Sequence, residues 1–477
     1  MLKDYILKYP LFLIGGFILL IYIVSGFGVT ISNDSVSNLD QIMALDIWSR
    51  SSHFSFHLFG VLFYVFFSKM LGFSPITSVE LMLSLFSLAG SVALFYFILS
   101  KFEDIRLAFF TVVIYAFSSG IFRFSIQAEY LVLVPSLALI SLALYVYKRY
   151  FLSGMAFALG MLTSPFILSF IPAFLIFNTR ETFFTKRNFL FIGGFFSLYL
   201  CISFFTVKET LAGEWSYRDV LDHYKEAIFK INYLRVAALW IYGYMRSFII
   251  VIPFIIIGLI VCYKTDRRLF FLILLMGILH LPQAIPEARY GAYQFTMYPF
   301  IALIAAFGLH SLLRLSKITG ILIMTLFLAA NFYIVLTERN FNRDLRDTYV
   351  MMQKDPAIPE GSVLFLYQAA KPVKTLYAPK LELVNIMTQY QEEMAVGLPG
   401  YLKHDLKDII SGNEELYLLE SGTSMPDDNF KLLFSGFVKG QGAKVKGFGK
   451  EKLNSYIPEA SFKRIEAYPI DLYKIIK

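Results

Sequence analysis

The chain has 477 residues, 57% of them hydrophobic and only 16% charged, and a mean hydropathy of +0.62. Soluble domains carry about 25% charged residues, so this composition excludes an ordinary soluble or disordered protein and predicts a polytopic membrane protein. The net charge is +8, but residues 341–477 hold 18 basic and 18 acidic residues. The excess therefore sits in short clusters between apolar runs, which is a topological pattern rather than a nucleic-acid-binding one.

Lys3 and Lys8 precede a first apolar run at 11–29. It is longer than a signal-peptide core and no A-x-A-like site follows, so it reads as an uncleaved anchor. Further runs fall near 54–73, 79–99, 107–122, 130–147, 150–177, 188–206, 236–262, 269–281, 295–313 and 318–336. Cys201 and Cys262 both lie in such runs and provide neither a disulfide framework nor a zinc cluster. The basic clusters Lys101/Arg106, Lys148/Arg149, Arg180/Lys186/Arg187, Lys264/Arg267/Arg268 and Arg314/Lys317 all belong in the cytoplasm by the positive-inside rule. That parity requires two adjustments. Segment 54–73 lies on the outer face instead of crossing, and 150–177 is two short helices broken at Thr163-Ser164-Pro165, where Pro165 removes a backbone donor. About eleven spans result, with the N-terminus inside and the C-terminus outside.

The polar chemistry then gathers in outer segments. The stretch ISNDSVSNLDQIMALDIWSRSSHFSFH, residues 31–57, holds Asp34, Asp40, Asp46, Arg50, His53 and His57. Asp34 directly follows a span, as a solvated loop residue or as a catalytic carboxylate. Asp40 and Asp46 suit the wet face of an interfacial helix. Arg50 and Lys69 either grip a phosphate or snorkel to headgroups. His53 and His57 share a helix face; the spacing admits a divalent metal, no third ligand is identifiable, and polar contacts to acceptor or phosphate are the other reading. In IFRFSIQAEY, Glu129 opens an apolar helix, either as a functional charge or paired with Arg123. In HLPQAIPEARYGAYQF stand His280, Glu287, Arg289 and Tyr290, with Arg289 either functional or paired with Glu287. Loop 207–235, with Glu214, Trp215, Asp222 and His223, has no assigned role. Gly154 and Gly160 fit close helix packing.

After Thr337 the pattern changes. SVLFLY (362–367), ELYLLE (415–420), FKLLFSG (430–436) and DLYKII (471–476) read as strands, with helical patterns near 342–353 and 401–411. A small extracytoplasmic α/β domain over 337–477 is expected behind a transmembrane domain over 1–336. GQGAKVKGFGK (440–450) lacks the ending and setting of a phosphate-binding P-loop.

Several motifs, in order, resemble one family. They are Asp34 after the first span; HFSFHLFGVLFYVFFSKMLG; Glu129 in QAEYLVLVPSLAL; GMAFALGMLTSPF; and EARYGAYQFTMYPFIALIAAFGL. Over roughly residues 1–336 the chain resembles the polytopic glycosyltransferases of the GT-C fold, of the protein O-mannosyltransferase and lipid A aminoarabinose transferase type. Asp-Ser-Val-Ser stands where the family has Asp-Glu or Asp-x-x-Tyr, and no His-Pro opens the outer helix. The resemblance implies an all-α multi-pass enzyme of the plasma membrane, moving a sugar from a polyprenyl-phosphate donor to a lipid, glycan or protein acceptor on the outer face. Anomeric inversion and Asp34 as general base follow from it. Glu129 is the second catalytic candidate, Arg50, Lys69 and Arg289 are donor-phosphate candidates, and His53, His57 and Tyr290 are acceptor contacts. A transporter or flippase of lipid-linked glycans, or a polymerase of them, is the alternative; a transporter should keep ionisable groups at the bilayer midplane, whereas here they gather outside.

Overall fold

The structure is a computed structural model that describes residues 15–28, 33–47, 53–174, 185–210, 241, 244–284, 295–366, 380–385, 415–419, 461–465, 468–469 and 472–476. Arg50, Glu287, Arg289, Tyr290, loop 211–235, strand 430–436, helix 401–411 and the glycine-rich stretch lie outside these residues, as does the side chain of Asp34.

Capping side chains mark where two of the described α-helices begin. After α1 (Gly15–Ser25) and α2 (Asn33–Met43) comes α3 (Phe54–Phe63), which runs into a π-helical turn, Tyr64–Met70. Helix α4 (Pro75–Phe102) opens with proline at its first turn and Ser74 as N-cap, its Oγ accepting from Thr77 N at 3.0 Å. Asp104 caps α5 (Ile105–Ala116) by accepting from the amides of Arg106 and Leu107. The expected single run at 107–122 is instead a bent pair, α5 and α6 (Ser119–Ser125), with a 66° break. Ser118 turns its Oγ back onto Tyr115 O at the break, and a Cβ on Gly120 would stand 2.6 Å from the Phe295 ring.

Next come a 3-10 turn at Tyr130–Val132, α7 (Leu133–Val146) and α8 (Tyr150–Met161). The expected break at Thr163-Ser164-Pro165 is present: α8 ends and a 3-10 turn (Pro165–Phe170) leads to α9 (Ile171–Phe174). Helices α10 (Lys186–Thr210), α11 (Ile252–Thr265), α12 (Arg267–Ala284), α13 (Tyr298–Leu315) and α14 (Lys317–Lys354) complete the helical part. Among the described residues four helices are long and apolar enough to cross a membrane, five if the bent pair is one span, and shorter apolar helices accompany them. Bulky side chains such as Ile256, Ile260 and Phe271 stay exposed, as lipid-facing residues do. The chain is a multi-pass membrane protein.

By contact density the chain divides into two units, one of Met1–Gly26 with Gln41–Val335, the other of Phe27–Asp40 with Leu336–Lys477. In the first, small residues let backbones meet. A Cβ on Gly90 would lie 2.8 Å from Ser136 Cα, and one on Gly154 would overlap Phe191 O of α10, just as one on Gly194 would overlap Phe151 O of α8. Gly258 and Gly308 make the same kind of crossing between α11 and α13. Buried hydroxyls are satisfied along one seam: Ser84 donates to Ser125 O, Ser125 to Ser87 Oγ, and Tyr22 to Ala116 O.

The basic clusters come together at one end of this bundle. Lys101 Nζ lies 3.4 Å from Asp266 beside Lys264 and Arg267. His310 Nε2 is 3.3 Å from Asp104 Oδ2 next to Arg106. Tyr96 and Tyr147 rings meet at 5.9 Å beside Lys148, and Arg187 stacks over Tyr150. Alternating helix direction then sends the starts of α4, α7 and α13 and the ends of α8 and α12 to the opposite end.

The second unit carries a five-stranded sheet, β1 (Val363–Leu366), β2 (Glu382–Asn385), β3 (Leu416–Leu419), β4 (Ser461–Ile465) and β5 (Leu472–Ile476), in the order β2-β1-β3-β5-β4. The first three are parallel, in register Val363↔Glu382 and Val363↔Leu416; β5 runs antiparallel between β3 and β4. Leu364, Leu416, Leu418, Leu472 and Ile475 are buried. β1, β3 and β5 fall on three expected strands. The expected helix near 342–353 is no separate element but the end of α14, because Thr337-Glu338-Arg339-Asn340 contains no breaker and the helix runs through 38 residues.

Candidate functional site

At the end away from the basic clusters, three chain breaks converge. The turn after α6 supplies Glu129 and Tyr130, the Thr163-Ser164-Pro165 break supplies two carbonyl- and hydroxyl-bearing residues, and the start of α13 supplies Phe295 and Thr296. Tyr130, Leu131, Val134, Pro135, Ser164, Phe166, Phe295 and Thr296 line a narrow cleft there. Each break exposes backbone groups that lipid could not satisfy, so they are tolerated only where protein or water meets them.

His53 reaches this cleft from the start of α3. Its ring stacks on Tyr130 with centroids 3.9 Å apart, and its Nδ1 lies 3.0 Å from Thr163 O. A carbonyl only accepts, so Nδ1 carries the proton in the neutral ring. Two residues on, Ser55 donates to Leu159 O at 2.7 Å, pinning α3 to the end of α8. His57, one turn further, is fully buried and packs edge-on to Phe56. The two histidines therefore serve different surroundings. Among the described residues no group of three or more His, Cys, Asp and Glu side chains is placed to hold a metal ion.

Glu129 directly precedes the cleft-lining Tyr130 and is half-buried. Arg123 donates its Nε–H to Gln127 Oε1 at 2.9 Å, and Gln127 donates its amide to Glu129 Oε1 at 3.3 Å. Gln127 is itself 2% exposed. Its amide, with one accepting and one donating end, links cation to carboxylate. Across the cleft, His280 near the end of α12 is buried, with Nδ1 3.0 Å from Thr296 Oγ1 and its ring 6.1 Å from that of Phe166. Lys69 is exposed on the π-helical turn, its Nζ 5.3 Å from the Tyr64 ring centre.

Gln127, Tyr130 and Thr296 are site residues that the sequence does not single out, and Thr163 and Ser164 are marked there only as a helix break. Elsewhere, Glu80, one turn into α4, is 4% exposed, and a Cβ on Gly26 would lie 3.4 Å from its Oε2. A carboxylate inside an apolar run is the signal that marks it.

No family model and no curated protein sequence matches this chain. Solved structures do. The fold is that of the GT-C polytopic glycosyltransferases, and it extends over the whole chain, the sheet-bearing part included. The crystal structure of ArnT from Cupriavidus metallidurans bound to undecaprenyl phosphate aligns over 100% of this chain and 98% of its own, with a TM-score of 0.59 and 11% identity. The apo form of the same protein aligns over 99% and 98%, with a TM-score of 0.56 and 9% identity. ArnT is the lipid A aminoarabinose transferase, and at this identity the likeness is one of fold.

Proposed function

We propose that this protein is an inner-membrane glycosyltransferase that takes a sugar from a polyprenyl-phosphate donor and gives it to a lipid, glycan or protein hydroxyl. The basic end of the bundle faces the cytoplasm by the positive-inside rule, and the cleft opens on the outer side. The observation that carries the reading is the convergence of Glu129, His53, Thr163, Ser164 and His280 at the end opposite the basic clusters, within a fold whose neighbour binds undecaprenyl phosphate.

In the reaction, the acceptor oxygen attacks the anomeric carbon as the carbon–oxygen bond to phosphate breaks. The electron pair leaves with the phosphate, the acceptor proton passes to a carboxylate, and the anomeric centre inverts. Asp34, on α2, is the proposed base, and Glu129 the second carboxylate. Arg50, Lys69 and Arg289 are proposed to meet the departing phosphate, whose growing charge needs fixed cations. His53, His57 and Tyr290 are proposed acceptor contacts.

The test is release of free polyprenyl phosphate by purified protein from a panel of polyprenyl-phosphate hexoses and pentoses, with a membrane extract as acceptor. Wild type is expected to release carrier with one donor, and Asp34→Asn to be slower by about 10²-fold or more. Equal release by both would remove Asp34 as base and put Glu129 in its place.

A further inference from the structure

Helix α14 is about 57 Å long at 1.5 Å per residue, while the hydrocarbon core of a bilayer is about 30 Å thick. Its apolar sequence ends at Leu336, and the first cation beyond is Arg339. Arg339, Arg343 and Arg346 follow at spacings of four and three, which places them on one helix face at headgroup depth.

The three differ in what they already hold. Arg346 is engaged by Asp347, with Nε and Nη2 at 2.8 and 2.6 Å from Oδ1. Arg343 donates Nε–H to Phe27 O at 3.0 Å. Next to it Gly28 takes φ +61°, and a Cβ there would lie 3.9 Å from Arg343 Nη2, so the backbone runs close against the guanidinium. Arg339 is half-buried, and among the described residues no atom accepts from its buried Nε. Its Nη2 makes a weak contact with Asn340 Oδ1 at 3.5 Å. Two cations one turn apart repel each other, and a desolvated guanidinium edge without an acceptor is costly. A bound anion relieves both at once.

We propose that Arg339 and Arg343 form a site for the phosphate group of a membrane lipid. Guanidinium forks match phosphate oxygens two at a time, and this pair lies where lipid phosphates lie. Two lipids supply that chemistry, a polyprenyl phosphate and an ordinary glycerophospholipid. The site needs no sugar transfer and stands apart from the function proposed above.

The test is native mass spectrometry of the full-length protein in delipidated detergent, titrated separately with undecaprenyl phosphate, phosphatidylglycerol and phosphate-free undecaprenol. Arg339→Gln is the variant, because Arg339 makes no strong bond among the described residues whose loss would unfold the chain, and Arg339→Lys is the charge-retaining control. The expected result is loss of one bound phosphate lipid per protein in Arg339→Gln, or weakening by at least about tenfold. Undecaprenol uptake should not change, and Arg339→Lys should retain part of the binding. A loss confined to undecaprenyl phosphate names the carrier as the occupant; a loss shared with phosphatidylglycerol names the bilayer lipid. Unchanged stoichiometry and affinity for both phosphate lipids in Arg339→Gln would overturn the proposal. That result would leave the transferase reading untouched, because carrier release is measured separately.

Discussion

The imidazole of His53 lies flat on the phenol of Tyr130, centroids 3.9 Å apart, while its Nδ1 meets the carbonyl oxygen of Thr163 at 3.0 Å. One side chain thus joins the start of α3, the turn before α7 and the break after α8. His53→Phe keeps the stack and loses the hydrogen bond; His53→Ala loses both. Aromatic pairs contribute about 0.5–1.5 kcal/mol and a hydrogen bond about 1 kcal/mol. Thermal melting in detergent should therefore fall slightly for His53→Phe and about twice as far for His53→Ala. Identical melting of all three proteins would show that the junction is not held by this residue.

Gln127 gives a second test. It accepts from Arg123 and donates to Glu129, using the two separate ends of its amide. Gln127→Leu has similar bulk and neither group. With bonds to charged partners contributing about 1.5–3 kcal/mol, carrier release should drop by about tenfold or more while the protein stays folded. If Gln127→Leu turns over like wild type, the linkage is structural and Glu129 acts without it.

The Gly154 and Gly194 crossing makes a prediction about stability alone. A Cβ on Gly154 would overlap the Phe191 carbonyl oxygen and the Phe195 nitrogen. These are backbone atoms and cannot move aside as a side chain would. Gly154→Val should cost about 1–3 kcal/mol or more, read as a lower melting temperature or loss of the folded protein. Gly193→Val next door meets nothing within 4 Å and should melt nearer to wild type.

The sheet-bearing unit should be acid-sensitive. Tyr468 donates to Asp355 Oδ2 at 2.6 Å and the Ala357 amide to Oδ1 at 2.8 Å, which together hold the Asp355 carboxyl below its ordinary 3.8. Lys474, 2.6 Å from Glu415, likewise holds that carboxyl below its ordinary 4.5. Groups depressed in the folded state stabilise it above their unfolded values, and that contribution is lost as pH falls through the folded values. Melting of this unit, followed by hydrogen exchange of β3 and β5, should be flat above about pH 5 and decline below about pH 4. Tyr468→Phe should remove part of the decline. A decline that begins above pH 6 would point to other groups.

Much of this architecture is legible in the sequence, for identifiable reasons. The basic clusters mark one end of the bundle because membrane insertion sorts cations independently of packing. Pro165 marks the α8 break because it lacks a donor. Glu129 stands out because a charge opening an apolar run is expensive. The bend at Phe117 and Ser118 leaves no such mark, since both residues are compatible with helix and the close approach of Gly120 to Phe295 exists only in the folded chain. β2 and β4 are equally silent, because LELVN and SFKRI are short and their pairing is set by distant strands. Thr163, Ser164, Thr296 and Tyr130 are ordinary residues in apolar surroundings, and only the convergence of three breaks makes them neighbours.

The most direct test of transfer uses proteoliposomes loaded with polyprenyl-phosphate sugar and a hydroxyl acceptor extract, following carrier and sugar separately. The account predicts that wild type releases free polyprenyl phosphate as the sugar appears on acceptor, and that Glu129→Gln reconstitutes equally but releases far less. Movement of intact donor between leaflets, with no free carrier formed by either protein, would contradict it and leave the flippase reading in its place.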